Sequence, residues 1–181
     1  MDKPPVFTQD WTTHHFPKWR DVLGPFAGRE KLRGLELGSF EGRSALFFLQ
    51  EIATHPTARL ICMDHWRDRE IHGRFLHNLL SAGVHDRCEV RKGDSHQMLR
   101  SIRQRFDFIY IDADHRAEAV LTDAVLAWPL LLPGGVLIFD DYEWEKLGQK
   151  PPKLGIDAFL QVFAGQFEVL HIGWQVILKK V

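Results

Sequence analysis

The chain has 181 residues, 45% of them apolar and 26% charged, a balance that suits one globular domain and excludes a fibrous or disordered chain. The net charge is −1 with histidine neutral, which supplies no field to draw the protein to nucleic acid or anionic lipid. Two isolated cysteines, Cys62 and Cys88, make neither a disulfide framework nor a metal knuckle, and as small reduced hydrophobes they suit a reducing compartment.

The chain opens Met1-Asp2-Lys3-Pro4-Pro5, without the apolar run of a secretion signal. Its longest apolar run, over 130–139, is broken at Pro133-Gly134-Gly135, so no membrane span is expected. The expectation is a cytoplasmic protein with no membrane partner. Residues 1–30 carry Trp11, Phe16, Trp19 and Phe26 among four prolines. They read as an aromatic cap or lid on the main domain, 31–181, and not as a domain of their own.

From residue 33 short apolar runs alternate with amphipathic stretches of helix length. Strands are expected over 34–37, 59–63, 88–91, 106–111 and 135–139. Helices are expected over 43–53, 70–82, 95–104 and 116–131. Such alternation implies a parallel sheet with helices on both faces. The C-terminal part breaks it: a helix over 156–163 precedes two strands, 167–172 and 174–179, joined at Gly173. Two consecutive strands point to an antiparallel arrangement at the sheet edge. The fold expected is therefore α/β, a Rossmann-like, doubly wound sheet of seven strands, mostly parallel, with one antiparallel strand near the C-terminus.

Ligands of such sheets bind beyond the carboxyl ends of the strands. The segments found there are Gly38-Ser39-Phe40-Glu41-Gly42, Asp64-His65-Trp66, Gly93-Asp94-Ser95, Asp112-Ala113-Asp114-His115 and Asp140-Asp141-Tyr142. Polar, mostly acidic residues follow every strand of that rim. The first loop excludes two cofactor classes. A dinucleotide needs G-x-G-x-x-G for close approach of a pyrophosphate, and a phosphate loop needs its Gly-Lys-Ser/Thr ending. Here Phe40 blocks the approach, while Glu36 and Glu41 would repel a diphosphate. The loop still offers backbone N–H groups and a helix start for one carboxylate, and an acid for one ammonium. S-adenosylmethionine carries both groups and a sulfonium. Asp64 can accept from ribose hydroxyls, Asp94 from an adenine amino group, and His65 or Trp66 can lie against the adenine. Plainer roles stay open: Asp64 as a solvated strand-end acid, and Asp94 or Ser95 as a helix cap. Glu36 lies within an apolar run, where an unpaired carboxylate is costly, and this favours a functional role.

Three segments carry a family resemblance. They are Leu35-Glu36-Leu37-Gly38-Ser39-Phe40-Glu41-Gly42-Arg43-Ser44, then Asp107 through His115, then Leu132-Pro133-Gly134-Gly135 through Tyr142. Together they resemble the class I S-adenosylmethionine-dependent methyltransferases, and more narrowly the small O-methyltransferase-like proteins of methyltransferase family 24, over roughly 33–181. The resemblance implies cofactor contacts from Glu36, Gly38, Ser39, Phe40, Glu41, Gly42, Ser44, Asp64, His65, Trp66, Gly93, Asp94, Ser95 and Asp112. It leaves the methyl acceptor open.

Asp112 follows the fourth strand, and Asp140 and Asp141 the fifth. Neighbouring parallel strands would gather the three carboxylates, which repel unless protonated or neutralised. An all-oxygen set suits Mg²⁺ or Ca²⁺. Catechol-type O-methyltransferases, which this part resembles, hold a divalent ion at these positions, so Asp112, Asp140 and Asp141 are the expected metal ligands and Mg²⁺ the candidate ion. Those enzymes place a lysine where His115 stands. An imidazole can serve there as a base worth roughly 10²–10⁴-fold, so His115 and Asp112 are the expected catalytic pair. Asp114 as a helix cap, His115 as a solvated residue and Asp141 as a turn cap are the alternatives.

The function expected is S-adenosylmethionine-dependent O-methylation of a small-molecule hydroxyl, without nucleic acid, with a homodimer as the base-rate assembly. The alternatives are a non-catalytic S-adenosylmethionine-binding module, an N-methyltransferase acting on nucleic acid, and a nicotinamide oxidoreductase. The second lacks its Asn/Asp-Pro-Pro-Tyr/Phe segment after the fourth strand, and the third is opposed by Phe40 and Glu41.

Overall fold

A computed structural model describes residues 4–181; residues 1–3, the start of the expected N-terminal segment, lie outside the described residues. The chain divides into two compact units, Met1–Gly93 and Asp94–Val181.

The first unit runs α1 (Phe16–Leu23), β1 (Arg33–Leu37), α2 (Arg43–Phe47), β2 (Arg59–Asp64), α3 (Arg69–Ser81) and β3 (Cys88–Lys92). Its strands lie in the order β3-β2-β1, all parallel. Leu35, Leu37, Leu60, Ile61, Cys62 and Met63 are all at most 1% exposed. Burial on both faces explains why these strands read as continuous apolar runs and not as alternating ones. The helix expected over 43–53 changes character on the way: α2 passes into a π-helical turn over Phe48–Ile52. The wider turn buries Phe48, Leu49 and Ile52 together. Against it packs α1, whose fully buried Trp19 stacks on Phe48 with ring centroids 4.9 Å apart. Trp19, and Phe16 stacked on Phe47 at 4.4 Å, thus serve core contacts in this unit, whereas Trp11 is 63% exposed.

The second unit runs α4 (Ser95–Ser101), β4 (Phe106–Ile111), α5 (Ala117–Ala127), β5 (Leu131–Phe139), α6 (Pro152–Val162), β6 (Phe167–Ile172) and β7 (Val176–Lys180). Its strand order is β4-β5-β7-β6, with β4 and β5 parallel and β7 antiparallel to both of its neighbours. The single reversed strand is therefore β7, inserted between β5 and the edge strand β6. With β1–β3 this makes seven strands among the described residues, the α/β arrangement expected. Boundaries moved where proline acts. Helix α5 ends at Ala127 and a 3₁₀ turn carries Pro129, so β5 begins at Leu131. Helix α6 begins at Pro152, four residues before the expected start, because a first-turn proline has no N–H to lose and a helical φ already set. No helix among the described residues is long and apolar enough to cross a membrane.

Candidate active site

In the first unit the loop between β1 and α2 is built by two carboxylates. Glu36, with no exposed surface, accepts hydrogen bonds from Ser39 Oγ and Ser44 Oγ, each at 2.5 Å. Burial pushes its carboxyl up to about 7, against the hydrogen bonds from Ser39, Ser44 and Cys62. Asp64, at the end of β2, accepts the backbone N–H groups of Ser39 at 3.0 Å, Phe40 at 2.9 Å and Trp66 at 2.8 Å. Trp66 Nε1 in turn donates to the Phe40 carbonyl at 2.8 Å. These bonds hold Phe40 at φ 45°, a left-handed conformation unusual for a bulky residue. Gly42 is left-handed too, at φ 86°, and a Cβ there would meet the Phe75 ring at 2.9 Å. Gly38 (φ 84°) completes the loop's reversal.

Other residues expected at the cofactor have definite surroundings. Trp66 is 2% exposed, its ring packed against His72 and Phe75 with centroids 4.8 Å and 4.5 Å away. His65 is exposed, and Gly93 N–H donates to the Asp64 carbonyl at 2.9 Å. Glu41 is buried and accepts from Thr8 N, Thr8 Oγ1 and Arg74 Nε at 2.6, 2.8 and 2.6 Å. Burial alone would raise its carboxyl, but Thr8 and Arg74 outweigh that and hold it below the usual carboxylate range. Glu41 therefore ties the N-terminal segment to α3. No local signal announces this, because Thr8 and Arg74 are each 33 residues away.

In the second unit Asp94 caps α4, accepting from Gln97 N at 3.0 Å. Burial pushes the Asp123 carboxyl up to about 6, against the pull of Ser95 and His96. Asp114 does not cap α5. It forms a turn with Arg116, accepting its backbone N at 3.0 Å and its guanidinium Nη2 at 2.6 Å, and Arg116 takes the cap position.

The acidic residues after β4 and β5 separate into two groups. Asp140 is 9% exposed and held from three directions: Tyr110 O–H donates to Oδ2, Gln175 Nε2 donates to the same oxygen at 3.0 Å, and Asp141 N donates to Oδ1 at 2.8 Å. The Tyr110 hydroxyl also lies 3.0 Å from Asp112 Oδ2. A phenol has one proton, so Tyr110 bonds both carboxyl groups at once only when one of the two carries a proton. Burial and neighbouring charge push the Asp112 and Asp140 carboxyls up together. Tyr110 and Gln175 escaped the sequence reading. A tyrosine inside an apolar strand reads as core, and the one available signal is that a buried tyrosine O–H needs a partner.

The second group is Asp112, His115 and Asp141. His115 Nε2 lies 2.9 Å from Asp141 Oδ2 and 3.7 Å from Asp112 Oδ1. One donor atom from each of the three residues falls within 4.8 Å of the others. Asp112 and then Asp141 push the imidazole up to about 10, so in this state it is a cation between two carboxylates. Trp144 packs edge-on against the His115 ring, centroids 4.8 Å apart, and its backbone N donates to the Asp141 carbonyl at 2.9 Å. The structure thus brings His115, and not Asp140, to the pair Asp112–Asp141. Farther along, Lys153 donates to the Tyr142 hydroxyl at 2.6 Å and to Asp157 at 2.7 Å.

Residues 35–142 match the model of the family described as "Methyltransferase domain". An O-methyltransferase, hkm8, of Aspergillus hancockii is 34% identical over 114 residues, which cover 60% of this chain and 42% of that protein. The match thus spans less than half of that curated relative. Among solved structures, an O-methyltransferase from Bacillus cereus in complex with SAH aligns with TM-score 0.74 and 20% identity, over 97% of this chain and 84% of that one. An rRNA methylase from Streptococcus thermophilus aligns with TM-score 0.66 and 14% identity, over 97% of this chain and 99% of that one. Both structures are like this chain in fold.

Proposed function

The chain belongs to the methyltransferase domain family, and on that premise we propose that it transfers the methyl group of S-adenosylmethionine to a hydroxyl of a small molecule. The observation that carries the acceptor side is the convergence of Asp112, His115 and Asp141 beyond β4 and β5. Glu36, Gly38, Ser39, Phe40, Glu41, Gly42 and Ser44, with Asp64, His65, Trp66, Gly93, Asp94, Ser95 and Asp112, remain our assignment for the cofactor. In this reading Glu36, with a carboxyl that titrates near neutrality, faces the ammonium group through its serine-lined loop. Asp64 keeps the loop in shape through its three backbone N–H bonds and offers its remaining lone pair to the ribose.

The residues present fit a divalent ion. Two carboxylates and an imidazole nitrogen converge, and the raised Asp112 carboxyl marks a place where positive charge is wanted. Asp112 and Asp141 would hold the ion, with Asp140 bracing Asp112 through Tyr110. When bound, such an ion lowers the pKa of a hydroxyl in contact with it. The acceptor oxygen attacks the methyl carbon in line, a C–O bond forms, the C–S bond breaks and S-adenosylhomocysteine leaves. The hydroxyl proton passes to a carboxylate oxygen of the Asp112–Asp141 pair, whose closely coupled groups share their protons. Orientation of the two reactants supplies most of the acceleration.

The carboxylates beside the acceptor would repel a phosphate backbone, which favours a small molecule over RNA. Isothermal titration with S-adenosylmethionine and S-adenosylhomocysteine, followed by labelled methyl transfer to a panel of phenols and sugars, tests the reading. Micromolar binding and transfer to a hydroxyl oxygen are expected. Absence of cofactor binding would overturn it, and transfer to RNA alone would overturn the acceptor class.

A further inference from the structure

We propose that Asp112, His115 and Asp141 form a mixed nitrogen–oxygen metal centre in which His115 Nε2 is itself a ligand, and that this centre takes Mn²⁺ or another first-row transition ion in preference to Mg²⁺. The proposal deepens the methyl-transfer reading, and only the centre's role in the reaction rests on that reading.

The donor spacing is the first argument. Ligands about 2.1 Å from one ion lie roughly 3.0 Å apart when adjacent in an octahedron and roughly 3.4 Å apart in a tetrahedron. His115 Nε2 lies 2.9 Å from Asp141 Oδ2 and 3.7 Å from Asp112 Oδ1. Both contacts run to the same nitrogen, so the proton it carries between the carboxylates stands where an ion would replace it. Small rotations about side-chain bonds close the rest.

The second argument is the employment of Asp140. An all-oxygen centre at this position would need it. Its Oδ2 is taken by Tyr110 and Gln175, and its Oδ1 by the backbone of Asp141. Turning it toward an ion would break bonds that Asp140 accepts from three donors at a buried position. His115 needs no such sacrifice, and Trp144 at 4.8 Å supports its ring.

The third argument is ligand chemistry. Imidazole adds little for hard Mg²⁺, which keeps its waters and prefers oxygen. It raises affinity along the first-row series from Mn²⁺ upward. Replacing an expected carboxylate by His115 therefore changes the class of ion.

The test uses the whole chain, stripped of metal by a chelator and titrated with Mn²⁺ and with Mg²⁺ separately. Wild-type protein should bind Mn²⁺ at least about tenfold more tightly than Mg²⁺. Pulsed EPR of the Mn²⁺ form should show the ¹⁴N coupling of a bound imidazole, a readout that needs no variant and no turnover. His115→Gln should lose that coupling and most of the preference for Mn²⁺. Mn²⁺ bound without ¹⁴N coupling, with affinity unchanged in His115→Gln, would overturn ligation by His115. Failure of both ions to bind at millimolar concentration would overturn the centre itself and leave an ion pair only. Titration with S-adenosylmethionine on the same metal-free sample reports separately on the methyl-transfer reading, so the two can fail independently.

Discussion

Asp64 accepts the backbone N–H of Phe40 at 2.9 Å, and this bond, with its neighbour from Ser39, fixes the left-handed Phe40 at the tip of the β1–α2 loop. The loop's shape is thus imposed by a side chain from the next strand. Asp64→Ala leaves the N–H groups of Ser39, Phe40 and Trp66 without their charged acceptor, at about 3 kcal/mol in all. For a chain of this size that lowers the melting temperature by roughly 6–12 °C. S-adenosylmethionine affinity should fall at the same time, beyond what Asp64→Asn loses. Thermal unfolding with and without cofactor checks both; a melting temperature within a degree of wild type would refute the scaffolding role.

Glu36 makes stability depend on pH with a definite sign. Its folded-state carboxyl is raised by burial to about 7 from an ordinary 4.5. Below 4.5 the group is protonated in both states and its stabilising contribution is complete. Between 4.5 and 7 the unfolded chain ionises first, so stability falls as pH rises, by up to about 3 kcal/mol. Above 7 the loss is complete. Glu36→Gln removes the group that titrates and should flatten this part of the curve. Urea unfolding at pH 5 and pH 7.5 measures the difference, and equal pH dependence in the two proteins would count against the assignment.

How much of this was legible follows from where the determinants sit. The strand ends Asp64, Asp112 and Asp140 were visible because a polar residue ending an apolar run is a local signal. The reversed β7 was visible because two strands followed one another without a helix between them. The partners of Asp140 were not, since Tyr110 lies in one apolar run and Gln175 opens another. The replacement of Asp140 by His115 in the converging set follows from those partners, so it could not be read either. The start of α6 lies before the expected residue 156 for a different reason: Pro152 occupies a first-turn position that tolerates it, which the apolar spacing does not signal.

Gly155 shows the same limit at a single atom. It lies in α6 where that helix crosses α5, and a Cβ there would sit 2.1 Å from the Ala117 carbonyl oxygen, a backbone atom that cannot step aside. Gly155→Ala should therefore separate the two helices. The overpacking costs about 2–3 kcal/mol despite the better helix propensity of alanine, lowering the melting temperature by roughly 4–12 °C. The same change at Gly73, which has open space around it in α3, should be neutral or stabilising. Thermal melts of both variants make the comparison, and an unperturbed Gly155→Ala would contradict the close approach.

Arg74 and Glu41 supply the last test, because they separate a structural carboxylate from a cofactor-binding one. Glu41 is 1% exposed, and Arg74 Nε donates to it at 2.6 Å while Thr8 donates twice. Arg74→Ala leaves a buried carboxylate held only by Thr8. The Arg74 side chain keeps 28% of its surface in solvent, so the loss of stability falls below that of a fully buried pair. Arg74→Lys restores the charge without the guanidinium geometry and should recover part of it. Loosening Glu41 also loosens Thr8, so limited proteolysis should cleave between residues 4 and 13 faster in Arg74→Ala than in wild type. Glu41 is also assigned to the cofactor, so Arg74→Ala should weaken S-adenosylmethionine binding too; unchanged affinity beside faster cleavage would leave Glu41 a structural carboxylate alone.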